Sequence, residues 1–240
     1  MNSIKRIALP ALAVLALAGP ARAQGIQSHI RYVEKAQRIG PFAGWVFTDP
    51  ALTLNDSTGV EVELGPRSAP VFGIGYEVRA SGPLSVVASV GYMPSTRKVF
   101  LAEALNDSTE IRVIDTNRKA DVGILMVEAG LLFHLTGPRT YRGLAPFVGA
   151  RLGYNRQVSG RDSAESTVPS TERYEFGPAF AVGANLGTDV FLTQRLSVRL
   201  ELNGRLWRES APAGFRALRQ SKLSEWNNAS SAQIGAALHF

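Results

Sequence analysis

From Ile39 to Phe240, apolar residues return at every second position rather than every third or fourth. That period belongs to β-strands with one apolar face. The clearest case is the last eight residues, where Ile234, Ala236, Leu238 and Phe240 alternate with Gln233, Gly235, Ala237 and His239. The pattern predicts eight strands, at about 39–47, 70–79, 84–93, 121–135, 143–156, 175–188, 195–207 and 225–240. Their connections alternate in length. The segments 48–69, 94–120, 157–174 and 208–224 are long and polar, whereas 80–83, 136–142 and 189–194 are short. An even number of strands with long connections on one side and short turns on the other is the plan of a membrane barrel.

Alternation alone does not say which face is outside. In strand 195–207, Leu196, Val198, Leu200, Leu202 and Leu206 oppose Ser197, Arg199, Glu201, Asn203 and Arg205. A soluble barrel of lipocalin type would bury the aliphatic set. Strand 175–188 decides between the two. Its non-aliphatic face reads Gly177, Ala179, Ala181, Gly183, Asn185 and Gly187. A wetted sheet face is usually charged. Tiny residues suit the crowded interior of a narrow barrel, so Phe176, Phe180, Val182 and Leu186 are expected to face lipid. A closed barrel also satisfies every backbone polar group in hydrocarbon. The expected fold is all-β: an eight-stranded antiparallel transmembrane β-barrel, an up-and-down meander over residues 39–240.

The N-terminus reads as an export signal over residues 1–23. Lys5 and Arg6 precede an apolar run of 13 residues, Ile7 to Gly19, and Ala21-Arg22-Ala23 gives a small-x-small cleavage pattern before Gln24. The run falls short of the about 20 residues a membrane helix needs. Loss of Lys5, Arg6 and Arg22 lowers the formal charge from +6 to +3. That balance, behind an export signal, argues against nucleic acid as a partner. Cysteine is absent, which excludes disulfides, thiolate catalysis and zinc–sulfur sites. Residues 24–38 are expected to form a periplasmic segment, as a short helix or a frayed tail. Lys35, Lys98, Lys119 and Lys222 are placed outside strands.

Aromatic residues mark one membrane boundary. Phe47, Phe72, Tyr92, Tyr154, Phe176, Trp207 and Trp226 fall near the long-loop ends of their strands and read as an interfacial girdle. Trp207 is one residue out of phase with the aliphatic face. The first two long loops repeat Leu-Asn-Asp-Ser-Thr, at 54–58 and 105–109, which reads as a pair of hairpin tips above the membrane.

The segment Leu192-Thr193-Gln194-Arg195-Leu196-Ser197-Val198-Arg199-Leu200-Glu201 resembles the final hairpin of the outer-membrane protein A transmembrane domain and its opacity-like relatives. The terminal aromatic strand, with Ile234, Ala236, Leu238 and Phe240, is similar to the assembly signal of that superfamily. The resemblance implies an eight-stranded barrel inserted into the bacterial outer membrane by its assembly machinery, among lipid and lipopolysaccharide, as a monomer. No peptidoglycan-binding domain follows the barrel, so the resemblance does not extend to cell-wall tethering.

The inward face carries Glu77, Arg79, Glu128, Arg151, Arg199, Glu201 and Arg205. Buried charges must be paired, and an eight-stranded barrel is only wide enough for side chains. An ionic network filling the lumen is expected. Setting Leu135 opposite Leu144 also places Glu128 directly across from Arg151. The rival use of these charges is a narrow ion path. By the resemblance, Arg199 and Glu201 would join such a network. Enzymatic chemistry is not expected. His29 precedes the barrel, His134 sits near a periplasmic end and His239 is penultimate, so none is placed at an extracellular rim beside a nucleophile. No catalytic residue, metal or cofactor is assigned. The expected role is structural or adhesive, exercised through the extracellular loops. The rival role is a small channel for ions or apolar molecules.

Overall fold

The computed structural model describes residues 30–49, 52–55, 61–104, 111–159, 163, 168, 176–210 and 224–240. The signal segment, the Ala23–Gln24 junction, residues 56–58 and 105–109 of the two loop tips, Lys222 and residues 24–29 lie outside them. The described residues form twelve strands: β1 (Ile30–Tyr32), β2 (Gln37–Thr48), β3 (Leu52–Asn55), β4 (Glu61–Leu64), β5 (Ala69–Ser81), β6 (Leu84–Ala104), β7 (Ile111–His134), β8 (Arg139–Tyr141), β9 (Leu144–Gln157), β10 (Ala179–Phe191), β11 (Leu196–Ser210) and β12 (Ser224–His239).

Eight of these close into a ring in the order β2-β5-β6-β7-β9-β10-β11-β12, every pair antiparallel. They correspond to the eight strands expected from the sequence. Leucine, valine and aromatic side chains stand on the outer wall, Leu152 and Leu186 more than half exposed at 58% and 56%. The soluble alternative, with that set inside, is thereby overturned. At the seam between β12 and β2, Phe240 and Gln37 exchange backbone hydrogen bonds, with N···O distances of 3.0 and 3.2 Å. The paired ladder of that seam skips Gly40 and Pro41. Pro41 has no N–H to give.

Three features differ from expectation. Residues 30–36 are neither helix nor frayed tail. β1 pairs with β8, which sits in the turn between β7 and β9. The chain then crosses to β2, four places away in the ring, and so passes under the barrel mouth. Val33 N–H donates to Pro138 at 2.8 Å, and Arg79 N–H donates to the Ala36 carbonyl at 2.7 Å. The short window of Ile26, Ile30 and Val33 matched a helical period by chance. Backbone groups at the mouth offered strand pairing instead. Second, β6 and β7 run to 21 and 24 residues. They rise past the rim as a two-stranded arm, so Lys98 and Lys119 lie within strands and pair across it. A hairpin with its tip at 105–109 was expected above the membrane, but its strands were not expected to be unbroken continuations of the two barrel strands. A bulge sits in the arm where Val99 pairs with Arg118 and Phe100 with Asp115. Third, the turn between β7 and β9 holds β8. The register therefore sets Glu128 opposite Gly153 and Gly130 opposite Arg151, a slip of two residues from the expected pairing.

Candidate functional site: the barrel interior

Period-two alternation turns one set of side chains into a lumen too narrow for anything larger. Four guanidinium groups (Arg38, Arg151, Arg199, Arg205) and four carboxylates (Glu77, Glu128, Asp189, Glu201) meet there in the periplasmic two-thirds. Arg199, on β11, is the hub. Its Nε and Nη2 donate to the two oxygens of Asp189 at 2.8 and 2.7 Å, and Nη2 also reaches Glu77 at 2.8 Å. Its guanidinium stacks over Phe147, 4.2 Å from the ring centre. Arg38 donates to Asp189 at 2.7 Å, and His134 Nε2 lies 2.8 Å from Glu77. Higher in the barrel, Arg205 grips Glu128 through Nε and Nη2, at 2.5 and 3.0 Å. Arg151 reaches the same carboxylate at 3.4 Å and Glu201 at 2.7 Å, the latter an ion pair without hydrogen-bond alignment. Arg199 and Glu201, 3.9 Å apart, link the two groups. Two-pronged Arg–carboxylate contacts are the geometry that offsets the desolvation of buried charges.

Glycine makes the space. A Cβ on Gly187 would stand 2.7 Å from the Phe147 ring, and one on Gly153 would stand 3.2 Å from Glu128 Cγ. The gaps that remain are water-sized. The one lined by Arg38, Phe42, Glu77, Arg199 and Glu201 measures about 40 Å3, room for one or two waters.

The extracellular third of the lumen is different. Val46, Val71, Met93, Val122, Ile124, Met126, Phe176 and Trp207 pack there as one buried apolar cluster. Phe176 and Trp207 meet edge to face, with ring centres 5.3 Å apart. Both had been assigned to the girdle. Each is only 1% exposed and points inward. Trp207 continues the inward phase of Arg205, and Phe176 lies just before a left-handed Gly177 (φ +84°) that redirects the chain into β10. The remaining girdle residues, Phe47, Phe72, Tyr92, Tyr154 and Trp226, stand on the outer wall as expected.

The structure brings together six of the seven charges expected inside. Arg79 departs. It sits at the periplasmic mouth and donates from Nη1 to the Val33 carbonyl at 2.7 Å. The Glu128–Arg151 contact survives the register slip as a diagonal reach. Sequence reasoning missed Arg38, Asp189 and His134 as network members. Asp189 continues the inward series Asn185, Gly187, but the 189–194 segment had been read as a turn. Arg38 lies one residue before the expected start of its strand. A further inward pair, Ser197 Oγ and His239 Nε2, is 2.7 Å apart at the periplasmic end. Ile234 and Leu238 face outward, and Phe240 is half exposed beside them.

No protein family and no curated protein matches the sequence. Solved structures do. The outer-membrane protein OprG from Pseudomonas aeruginosa is 15% identical, aligned over 86% of this chain and 97% of its own, with a TM-score of 0.51. The outer-membrane protein AlkL in lipid bilayers is 15% identical over 92% of this chain and 95% of its own, with a TM-score of 0.47. Neisserial surface protein A is 13% identical over 89% and 98%, with a TM-score of 0.44. Identities this low speak for fold alone. The closed ring, its apolar outer wall and the alignment with OprG give the chain the fold of the eight-stranded outer-membrane β-barrels.

Proposed function

We propose that this chain is a resident of the bacterial outer membrane, a monomer delivered by the outer-membrane assembly machinery, and that it acts through its outer surface and its extracellular arm. The observation that carries this reading is the filled lumen. Among the described residues, the ionic lattice below and the apolar cluster above fill the lumen around water-sized gaps, an interior suited to stability rather than flow. The arm formed by β6 and β7 is the natural contact surface. It stands clear of the rim and is braced where Val99, Ala120 and Val168 pack together. A structural or adhesive role follows. A non-enzymatic role is supported by the burial of the Ser197–His239 pair, whose hydroxyl is fully enclosed.

One observation favours a narrow ion path as the second reading. Arg199 has Glu77 and Asp189 as partners and Glu201 at 3.9 Å as a third, so a shift of partners would loosen the lattice. Planar-bilayer recording separates the two. The reading adopted here expects a closed protein with no steady conductance. A sustained conductance that rises in Arg199→Met would favour the path. Gel mobility of unboiled against boiled membrane extract tests the location itself, since a folded outer-membrane barrel shifts on heating and a soluble protein does not.

A further inference from the structure

β8 carries the outer wall past the periplasmic end of the barrel. Tyr141 is paired with Leu144 of β9, and residues directly opposite in an antiparallel pair share one face. Leu144 is exposed on the outer wall, so Tyr141 extends that wall. Arg139 lies two residues away on the same face, and Tyr32 of β1 is paired with it. Tyr32 and Tyr141 are 60% and 51% exposed, while Thr140, between Arg139 and Tyr141, is buried on the opposite side. Beyond Tyr141 the chain turns through Arg142 (φ +53°) and Gly143 (φ +80°). The Arg142 guanidinium lies over the Tyr141 ring, 5.4 Å from its centre. Arg139 and Arg142 are both exposed, one on each side of that tyrosine.

The extension is held at both ends. Val33 N–H donates to the Pro138 carbonyl, and Phe191 N–H donates to the Gly143 carbonyl, both at 2.8 Å. Tyrosine that continues a lipid-facing wall belongs at the membrane interface, and arginine is tolerated on such a wall near that interface. Both place this face at the headgroup level of the periplasmic leaflet. A guanidinium fork suits phosphate. Among the described residues neither arginine forms an ion pair, with the exposed Glu34 or with any other acid. The other periplasmic turns are unlike this one. Residues 80–83 read Ala-Ser-Gly-Pro, without charge, and residues 192–195 offer a single cation, Arg195.

We propose that the outward face of the β1–β8 extension is a docking site for an anionic phospholipid of the periplasmic leaflet. Arg139 and Arg142 take its phosphate, and Tyr141 and Tyr32 lie at the level of its glycerol backbone. The acyl chains continue along the wall that begins at Leu144. Two cations around one exposed ring match a headgroup with net negative charge. A zwitterionic headgroup brings its own cation to the same place and gains less. The inference rests on the outer-membrane reading above.

The test is native mass spectrometry of the protein released from vesicles that hold phosphatidylglycerol and phosphatidylcholine in equal amounts. Wild type is expected to retain phosphatidylglycerol in preference to phosphatidylcholine. Arg139→Gln with Arg142→Gln is expected to lower that retention about tenfold, the loss of two cations at a charged interface, and to leave phosphatidylcholine unchanged. Arg139→Lys with Arg142→Lys is expected to keep much of it. Lys35 lines the gaps behind the extension with Val33 and Phe191. Lys35→Gln makes the same charge change off the face and is expected to alter retention less than Arg142→Gln alone. Heat-dependent gel mobility confirms that each variant is a folded barrel. Equal retention of the two lipids by wild type, full retention by the double glutamine variant, or equal losses from Lys35→Gln and Arg142→Gln would overturn the site and leave the barrel reading intact. Failure of the wild type to insert into vesicles at all would overturn both.

Discussion

Below Arg205 the barrel interior is held by ion pairs. Above it, the same inward face is held by packed apolar side chains. The two zones fill one tube with opposite chemistries, and they fail in different ways. An ion pair whose partner is removed leaves a buried charge, which costs more than the pair contributed. A truncated apolar side chain leaves a hole, and the loss follows the volume that cannot collapse. The lower zone is therefore sensitive to which residue is missing and to what remains beside it. The upper zone is sensitive only to shape.

This difference can be broken experimentally. Arg199→Met strands Asp189 and Glu77, with Arg38 as their remaining guanidinium, and is expected to cost about 3–5 kcal/mol. Adding Asp189→Asn should return a good part of that loss. Trp207→Ala is expected to cost a similar amount, about 3–5 kcal/mol, but no second charge change should rescue it. Urea unfolding from lipid vesicles measures both. Strict additivity in the Arg199/Asp189 pair would mean the lower zone behaves like the upper one, and the distinction would fall.

The contrast also explains what could be read from the sequence. Where inward residues are charged and outward ones apolar, as in 196–205, the phase is plain, and Arg199, Glu201 and Arg205 were placed correctly. In the upper zone both faces are apolar. Val122, Ile124 and Met126 point in while Leu125 and Val127 point out, and the alternation fades. Aromatic character is then ambiguous, because a girdle residue and a lumen plug are both aromatic near a strand end. Trp207 showed its true side by being out of phase. Phe176 gave no such sign, since its direction is set by Gly177 and by the hydrogen bonds joining Gln157 and Phe176. The crossing of residues 33–36 beneath the mouth was illegible for another reason. It depends on backbone partners far away in sequence, such as Pro138, whose carbonyl accepts from Val33, and Arg79, whose N–H donates to Ala36.

The outer wall is the control for the inner one, since it stays aliphatic beside both zones. Leu200 lies at mid-strand and Leu206 close to the rim, both in the outward phase of β11. Arginine at position 200 is expected to cost about 2–4 kcal/mol, and at position 206 about 0–1 kcal/mol, because the penalty on a lipid face falls with distance from the midplane. Refolding into vesicles checks this. Equal losses would mean that the wall does not cross a bilayer at the depth its strands indicate.

At the periplasmic end the lower zone is bounded by the seam. Removing Phe240 deletes its two reciprocal bonds with Gln37, next to a stretch where Gly40 and Pro41 already lack ladder pairing. A loss of about 1–3 kcal/mol is expected from two backbone hydrogen bonds. Membrane insertion should also slow, if the aromatic end serves as the assembly signal its strand resembles. Normal stability together with a normal insertion rate would remove both roles.

The smallest effect expected is the most diagnostic of how the lower zone is wired. Direct opposition of Glu128 and Arg151 would make them each other's main partner. The register instead gives Glu128 a glycine opposite and leaves its carboxylate free to lean toward Arg205 on β11, which holds it with two bonds. Arg151 reaches it only diagonally, at 3.4 Å, while lying closer to Glu201 at 2.7 Å. In double-mutant cycles the Glu128–Arg205 coupling should therefore exceed the Glu128–Arg151 coupling. The latter is expected at the low end for contacting residues, about 0.5–1 kcal/mol. Conservative neutral replacements, Glu128→Gln with Arg151→Met or Arg205→Met, keep the volume and isolate the charge. If Arg151 proved the stronger partner, Glu128 would have to turn away from Arg205. The lattice would then be organised around the wall between β7 and β9 rather than across the lumen.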